Sequence, residues 1–377
     1  MGARMRPGEP EESMKEQHKK TAFGRFFRSP LNILTYGSVG AMGIFLLCFK
    51  LWTGYGGKTE WRAPAYYIEA ASHSIGSFAV ILAYLGVMFL LALVIESQIK
   101  NFLILARRKE GKLAWAGKDS AYGILRNGGK MIWQAFLTAA PAFIMVFLMS
   151  FVLGEMNAVD RARLVDTSLL GMEHLLFGGY VFAILGAVSY PAFLIKFIIF
   201  SFTNLVGILI LSALLLAYVD PRILREMIAA FCFCMLLMVP LWVSVPALSP
   251  QDRFINNVYQ LPVSADIAAA VGTYHPDPQI VDFLASIRVD KNGLADMPTS
   301  TMPSAHAAWA VFVGYYLFRA KKWLGWIALP FLLASTAGTV ILAQHYSIDI
   351  LIGAFLATFA VWVAASVTSR EDVREVL

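Results

Sequence analysis

Charge is scarce in this chain. Only 15% of its 377 residues are Asp, Glu, Lys or Arg, against roughly 25% in a typical soluble domain. Hydrophobic residues make up 58% and the mean hydropathy is +0.63, more apolar surface than a water-soluble globule can hide. Cysteine is scarce as well. Cys48, Cys232 and Cys234 are the only three, all within apolar stretches. An odd count gives no disulfide framework, and Cys232-x-Cys234 is not the two-residue spacing of a redox or zinc pair, so the three read as small packing residues. There is no phosphate-cradling or dinucleotide glycine motif, no His-Glu-x-x-His and no repeat of fixed period, which removes the common nucleotide, metalloprotease and solenoid classes. No cofactor is expected. The first 28 residues lack an apolar core, so no cleaved signal peptide is expected.

Long apolar runs are abundant. Runs of about 20 apolar residues cross a hydrocarbon core of about 30 Å as helices, and about eight such runs are predicted, at 32–52, 74–96, 131–154, 191–218, 223–249, 306–319, 323–343 and 347–368. The expected fold is therefore all-α and polytopic. Basic side chains concentrate in cytoplasmic loops. Arg4, Arg6, Lys15, Lys19, Lys20, Arg25 and Arg28 precede the first run, while Lys100, Arg107, Arg108, Lys109, Lys112, Lys118, Arg126 and Lys130 follow the second. Arg222 with Arg225, Arg319 with Lys321 and Lys322, and the tail with Arg370 and Arg374 fall on the same side when eight spans are counted. Both termini are thus expected in the cytoplasm, in a cell inner or plasma membrane. The net charge of +6 is explained by this topology and by contact with anionic lipid, with no nucleic-acid partner required; oligomeric state is left open.

The predicted organisation is a basic cytoplasmic tail at 1–30, two extra spans and a basic connector at 31–130, a catalytic membrane domain at 131–369, and a cytoplasmic tail at 370–377. Two non-spanning stretches are expected on the outer side. Residues 155–190 read as an interfacial helix carrying His174, followed by a short interfacial or re-entrant element at Val181 to Val188. Residues 250–305, broken by Pro250, Pro262, Pro276, Pro278, Pro298 and Pro303, form a long loop of the kind that covers a substrate site. A plain connector is the competing reading of that loop.

Two short polar motifs stand out within the apolar C-terminal third: Pro303-Ser304-Ala305-His306 and His345-Tyr346-Ser347-Ile348-Asp349. Ser304 can cap the helix that follows and leave its N-terminal N–H groups for an anionic phosphate, with His306 in the first turn. His345 and Asp349 are spaced i, i+4, which places both on one face if the last helix starts at about His345, where the carboxylate can fix one imidazole tautomer and free the other nitrogen as a nucleophile. Each motif alone has a bland reading as a helix cap or an interface residue. Both, one helical hairpin apart and at one membrane face, make a set suited to phosphoryl transfer.

At these residues the chain resembles the type 2 phosphatidic acid phosphatase superfamily. Met302-Pro303-Ser304-Ala305-His306 together with His345-Tyr346-Ser347-Ile348-Asp349-Ile350-Leu351-Ile352-Gly353 is most similar to its branch of inositol phosphorylceramide and sphingomyelin synthases. The resemblance implies a six-helix catalytic core formed by the last six spans and no metal. It implies His345 as a nucleophile forming a phosphohistidine, Asp349 as its orienter, His306 as the acid and Ser304 as a phosphate ligand. The phosphatase branch carries an early Lys-x6-Arg-Pro signature, which has no match here, and an arginine where this chain has Thr339. The cation is therefore sought elsewhere, and Arg253, Arg288 and Lys291 in the outer loop are candidates, each with a plain reading as a solvated charge. His174 is expected to take no part in catalysis. The implied activity is transfer of a phosphoryl or phospho-head-group unit from a phospholipid donor to a lipid or alcohol acceptor. Water as acceptor, giving a lipid phosphatase, and a non-enzymatic lipid-carrier transporter are the alternatives.

Overall fold

The computed structural model describes the backbone of residues 29–54, 119–156, 163–257, 260–286 and 301–376, and the side chains of the same residues except 119–136 and 371–376. The predicted span at 74–96, the basic tail, most of the basic connector, and both Arg288 and Lys291 lie outside the described residues. Within them the chain is helical, with no β-strand. Its helices are α1 (Pro30–Thr53), α2 (Asp119–Met156), α3 (Asp166–Phe177), α4 (Val181–Gly186), α5 (Ala192–Thr203), α6 (Leu205–Val219), α7 (Pro221–Ser244), α8 (Ala265–Val271), α9 (Pro278–Ser286), α10 (Ala305–Ala320), α11 (Lys322–Ile341) and α12 (Ser347–Val376). A π-helical turn, Gln251–Ile255, follows α7.

Local chemistry sets the helix starts. Ser29 accepts from Asn32 N–H before Pro30, Asp220 accepts from Arg222 N–H before Pro221, and Ser304 accepts from Ala307 N–H at the start of α10. In the first two, proline occupies a first-turn position whose N–H would be orphaned anyway.

Among the described residues five helices, taken over their apolar portions, are long and apolar enough to cross a membrane: Pro30–Thr53, Leu137–Met156, Pro221–Ser244, Lys322–Ile341 and Ser347–Arg370. The predicted run at 191–218 is not one straight helix but the pair α5 and α6, bent by 60°; counted as one span, it makes six. The break has a chemical cause. Thr203 Oγ1 donates to the Ile199 carbonyl and Asn204 Nδ2 to that of Phe200, so side chains compete for the backbone at the point of the bend. The predicted run at 306–319 is α10, 16 residues long and so about 24 Å, short of a full hydrocarbon thickness.

Helix α7 is the hub, packing against α1, α2, α6, α10 and α12, while α10 packs against α6, α7, α11 and α12. The main core fills the space between α1, α2, α7, α10 and α12 and is rich in methionine, including Met42, Met145, Met235 and Met238, all fully buried. Large apolar side chains such as Leu51, Phe143, Phe193, Ile327 and Phe355 point outward, as lipid-facing surfaces do. A second core lies at the end where α11 meets α12. There Leu169 and Leu170 of α3, Phe182 of α4, Phe254 of the π turn and Ile267 of α8 gather around Tyr346 and Ala343. The Val181 to Val188 element, expected as interfacial or re-entrant, is α4 with Phe182 and Ala183 buried in this cluster.

Candidate functional site

The turn between α11 and α12 is held from several directions. The N–H groups of Gln344 and His345 both donate to the Thr339 carbonyl, and Ala343 takes the left-handed conformation at φ 52° that closes the helix end. Gln251 N–H donates to the Ala343 carbonyl at 2.9 Å, its side chain pairs with that of Gln344, and the Tyr274 hydroxyl donates to Ile341 O at 3.3 Å. The described part of the long loop is therefore fastened onto the turn that carries His345.

His345 Nδ1 lies 3.1 Å from the Thr301 carbonyl and 3.5 Å from Asp349 Oδ2. A carbonyl oxygen can only accept, so Nδ1 carries a hydrogen, and in the neutral ring that leaves the lone pair on Nε2. Asp349 is fully buried, and its Oδ2 also accepts from Tyr346 N–H at 3.0 Å. The two motifs touch directly, Ser304 N–H donating to the Asp349 carbonyl at 2.9 Å. That approach requires a glycine: a methyl group at Gly353 would overlap the Ser304 carbonyl oxygen. Trp242 of α7 fixes the strand of chain before Ser304 by donating to Pro303 O at 2.8 Å.

His306 is reached through the bend. The last turn of α5 leaves carbonyls without intrahelical donors, and that of Phe202 lies 3.0 Å from His306 Nε2 while its ring stacks on the imidazole at 4.6 Å. By the same acceptor argument Nε2 carries the hydrogen there, and Nδ1 is the open nitrogen. His306 and His345 are within electrostatic reach of each other.

Sequence reasoning passed over two acidic residues. Asp166 and Glu173 lie seven residues apart on one face of α3 and are buried. Asp166 Oδ1 accepts from the Tyr346 hydroxyl at 2.8 Å and from Leu248 N–H at 2.9 Å. Glu173 Oε1 accepts from Ser347 N–H at 2.7 Å, capping the start of α12, and Oε2 accepts from Val181 N–H at 3.3 Å. Burial raises the Asp166 carboxyl from 3.8 to about 6, against the opposing pull of Tyr346, Leu248 and the Arg253 charge. It raises that of Glu173 as well. The signal available in sequence was their i, i+7 spacing on a helix whose other residues are mostly apolar.

Arg253 is buried at 6% exposure beside this cluster, not solvated as a loop cation would be. Its guanidinium lies over the Phe254 ring and donates from Nη2 to Pro262 O at 2.9 Å. Its Nη1, with Asp166 Oδ2 and Asp349 Oδ1, is buried and has no hydrogen-bond partner among the described residues. His174, expected as interfacial, is exposed on the far side of α3 beside Tyr180. Among the described residues no group of three or more His, Cys, Asp or Glu is placed to hold a metal.

The described residues thus form a helical, membrane-type bundle that brings two histidines and a buried carboxylate to one end. Residues 167–363, just over half of the chain, match the sequence model of the PAP2 superfamily, and the chain belongs to that superfamily. Membership is consistent with phosphatase or phosphotransferase activity on lipid-like substrates. No curated protein and no solved structure matches the chain.

Proposed function

We propose that the protein is an integral membrane lipid phosphotransferase, similar to inositol phosphorylceramide synthases, moving a phosphoryl or phospho-head-group unit from a phospholipid donor to a lipid hydroxyl acceptor. The observation that carries this reading is the tautomer of His345: with Nδ1–H held by the Thr301 carbonyl and Asp349, Nε2 is the nitrogen available as nucleophile. In the first step His306 enters protonated on both nitrogens, Nε2–H staying on the Phe202 carbonyl; His345 Nε2 attacks phosphorus, the bond to the donor's leaving oxygen breaks, and that oxygen takes the proton from His306 Nδ1, leaving His306 neutral. In the second step the acceptor hydroxyl returns a proton to His306 Nδ1, its oxygen attacks phosphorus, and the N–P bond of the phosphohistidine breaks. Asp349 stabilises the imidazolium character of His345 throughout.

The Ser304 hydroxyl, whose oxygen accepts from Ala307 N–H, still has its hydrogen to give to a phosphate oxygen. Arg253 is the described cation whose Nη1 is uncommitted, and it takes over the balancing of phosphate charge that an arginine at position 339 would supply. Arg288 and Lys291 stay as further candidates for the same task. The reading includes eight spans, a six-helix core within residues 131–369 and a site on the non-cytoplasmic face, supported by the distribution of Lys and Arg in sequence. A lipid phosphatase differs from it only in admitting water at the second step.

The test is donor turnover by purified protein with and without a long-chain alcohol acceptor, together with trapping of the phosphoenzyme by an alkaline denaturing quench. His345→Ala should abolish turnover and the acid-labile, base-stable phosphoramidate. His306→Ala should lose most turnover while a donor with a good leaving group still labels His345. Substantial turnover by His345→Ala overturns the assignment, and release of free phosphate or phospho-head-group at the same rate without acceptor turns it into a phosphatase.

A further inference from the structure

Five hydrogen bonds and one carboxylate–imidazole contact at 3.5 Å link six residues, His345 among them, into a ring. Asp166 Oδ1 accepts from the Tyr346 hydroxyl at 2.8 Å; Tyr346 N–H donates to Asp349 Oδ2 at 3.0 Å; Asp349 Oδ2 lies 3.5 Å from His345 Nδ1. His345 Nδ1 lies 3.1 Å from Thr301 O, Thr301 Oγ1 donates to Leu248 O at 3.0 Å, and Leu248 N–H returns to Asp166 Oδ1 at 2.9 Å. The two acceptors that fix the His345 tautomer, Thr301 O and Asp349 Oδ2, are on opposite arms of this ring, and one oxygen atom of Asp166 joins the arms.

We infer that Asp166 is the positioning residue of the site, holding the His345 imidazole through Tyr346 on one arm and through Leu248 and Thr301 on the other. It touches no reacting atom. Tyr346 is fully buried and spans from the backbone of the α11–α12 turn to α3, so its hydroxyl anchor decides where the following residues sit. Without that anchor Tyr346 N–H and the Asp349 carboxylate lose a fixed spacing from His345, and a displacement of about 1 Å is enough to cost about 10²-fold in rate.

The inference rests on His345 being the nucleophile, and its test separates the two. Full-length protein in detergent is compared as wild type, Tyr346→Phe, Asp166→Ala, Asp166→Asn and the double variant Tyr346→Phe with Asp166→Ala, each normalised to its monodisperse fraction. Tyr346→Phe and Asp166→Ala should lower kcat by about 10- to 100-fold with KM unchanged within about three-fold, the pattern of a lost transition-state geometry. Asp166→Asn keeps an Oδ1 acceptor and should stay within about three-fold of wild type, and the double variant should be no worse than the worse single one.

The second arm needs no lipid: modification of His345 Nε2 by diethyl pyrocarbonate, followed by peptide mass spectrometry. A held Nδ1–H makes Nε2 the reactive nitrogen, so Tyr346→Phe should slow modification several-fold, whereas plain loosening of the turn should expose His345 and speed it. Faster modification, or kcat within three-fold of wild type in Tyr346→Phe, overturns the inference. Absence of lipid turnover in wild type overturns the functional reading, and the modification rates then decide the positioning role alone.

Discussion

The two ends of α10 both set charge against a buried carboxylate, and they do it in opposite ways. At the Arg319 end, Glu226 of α7 is fully buried and pairs directly with the Arg319 guanidinium. At the Ser304 end, Asp166, Glu173 and Asp349 are all buried, and their hydrogen bonds come from backbone N–H groups, one hydroxyl and one imidazole. The neighbouring cation, Arg253, spends its Nη2 on a carbonyl and leaves Nη1 unpaired among the described residues. A carboxylate matched by a cation is a clamp between helices. Carboxylates held by neutral donors, with a cation left uncommitted, make an environment that a phosphate can enter without first breaking an ion pair.

The largest expected effect tests that contrast at Asp349. Asp349→Asn keeps the size of the side chain and removes the charge that holds the His345 tautomer. Turnover should fall by about 10³- to 10⁴-fold, the scale on which the same change acts in serine hydrolase triads, with the monodisperse fraction unchanged. Turnover within a few-fold of wild type would reduce Asp349 to a helix-end anchor.

Next comes the contact between the motifs. In Gly353→Ala the new methyl group meets the Ser304 carbonyl oxygen, which is backbone and cannot rotate away, so α12 must move off the start of α10. Overpacking of this kind costs about 1–3 kcal/mol, and the shift should also lower kcat by at least about 10-fold. A normal kcat alongside lowered stability would show that the Ser304–Asp349 spacing has slack. The opposite end of α10 should behave differently. Arg319→Met leaves Glu226 buried without its partner, a loss of up to about 3 kcal/mol, the partial exposure of Arg319 keeping it at the low end. Turnover per folded molecule should stay at the wild-type level, and a large fall in kcat would mean that the clamp is coupled to the site.

How much of this was legible in the sequence follows from where the information sits. Pro303-Ser304-Ala305-His306 and His345 to Asp349 are local patterns, so the cap at Ser304 and the i, i+4 pair could be read directly. The runs that became α1, α7, α11 and α12 are long and uniformly apolar, so they could be placed as helices too. The bend within 191–218 depends on Thr203 and Asn204 choosing backbone carbonyls over lipid, which composition does not encode. Asp166 and Glu173 were harder still. An acidic residue on an interfacial helix reads as solvated, and only tertiary packing turns the carboxylates of α3 inward while Leu175 and Leu176 face out. Arg253 was named for its charge, yet its burial and its place beside Asp166 come from the π turn, which has no simple sequence pattern.

The smallest expected effect concerns how the acidic cluster responds to pH. The Asp166 carboxyl is raised to about 6 in the folded protein because burial disfavours its charge, whereas in the unfolded chain it keeps an ordinary value near 3.8. Between those two values the folded state binds more protons than the unfolded one, so stability falls as pH rises. The contribution is therefore fully present below about pH 4 and is lost as pH climbs through about 6. A shift of that size sets an upper bound of about 3 kcal/mol, and local relaxation around the carboxylate brings the expected difference to about 1–2 kcal/mol. Asp166→Asn has no proton to bind, so its unfolding midpoint in detergent should change less than that of wild type between pH 4.5 and pH 7.5. Glu173, also raised by burial, titrates in both proteins and drops out of the difference. Arg319→Met, remote from Asp166, should keep the wild-type pH slope, so the two ends of α10 separate in one measurement. An unchanged slope in Asp166→Asn would mean that Asp166 stays ionised in the fold, balanced by the Arg253 charge, and that this end of the bundle is clamped as the other one is.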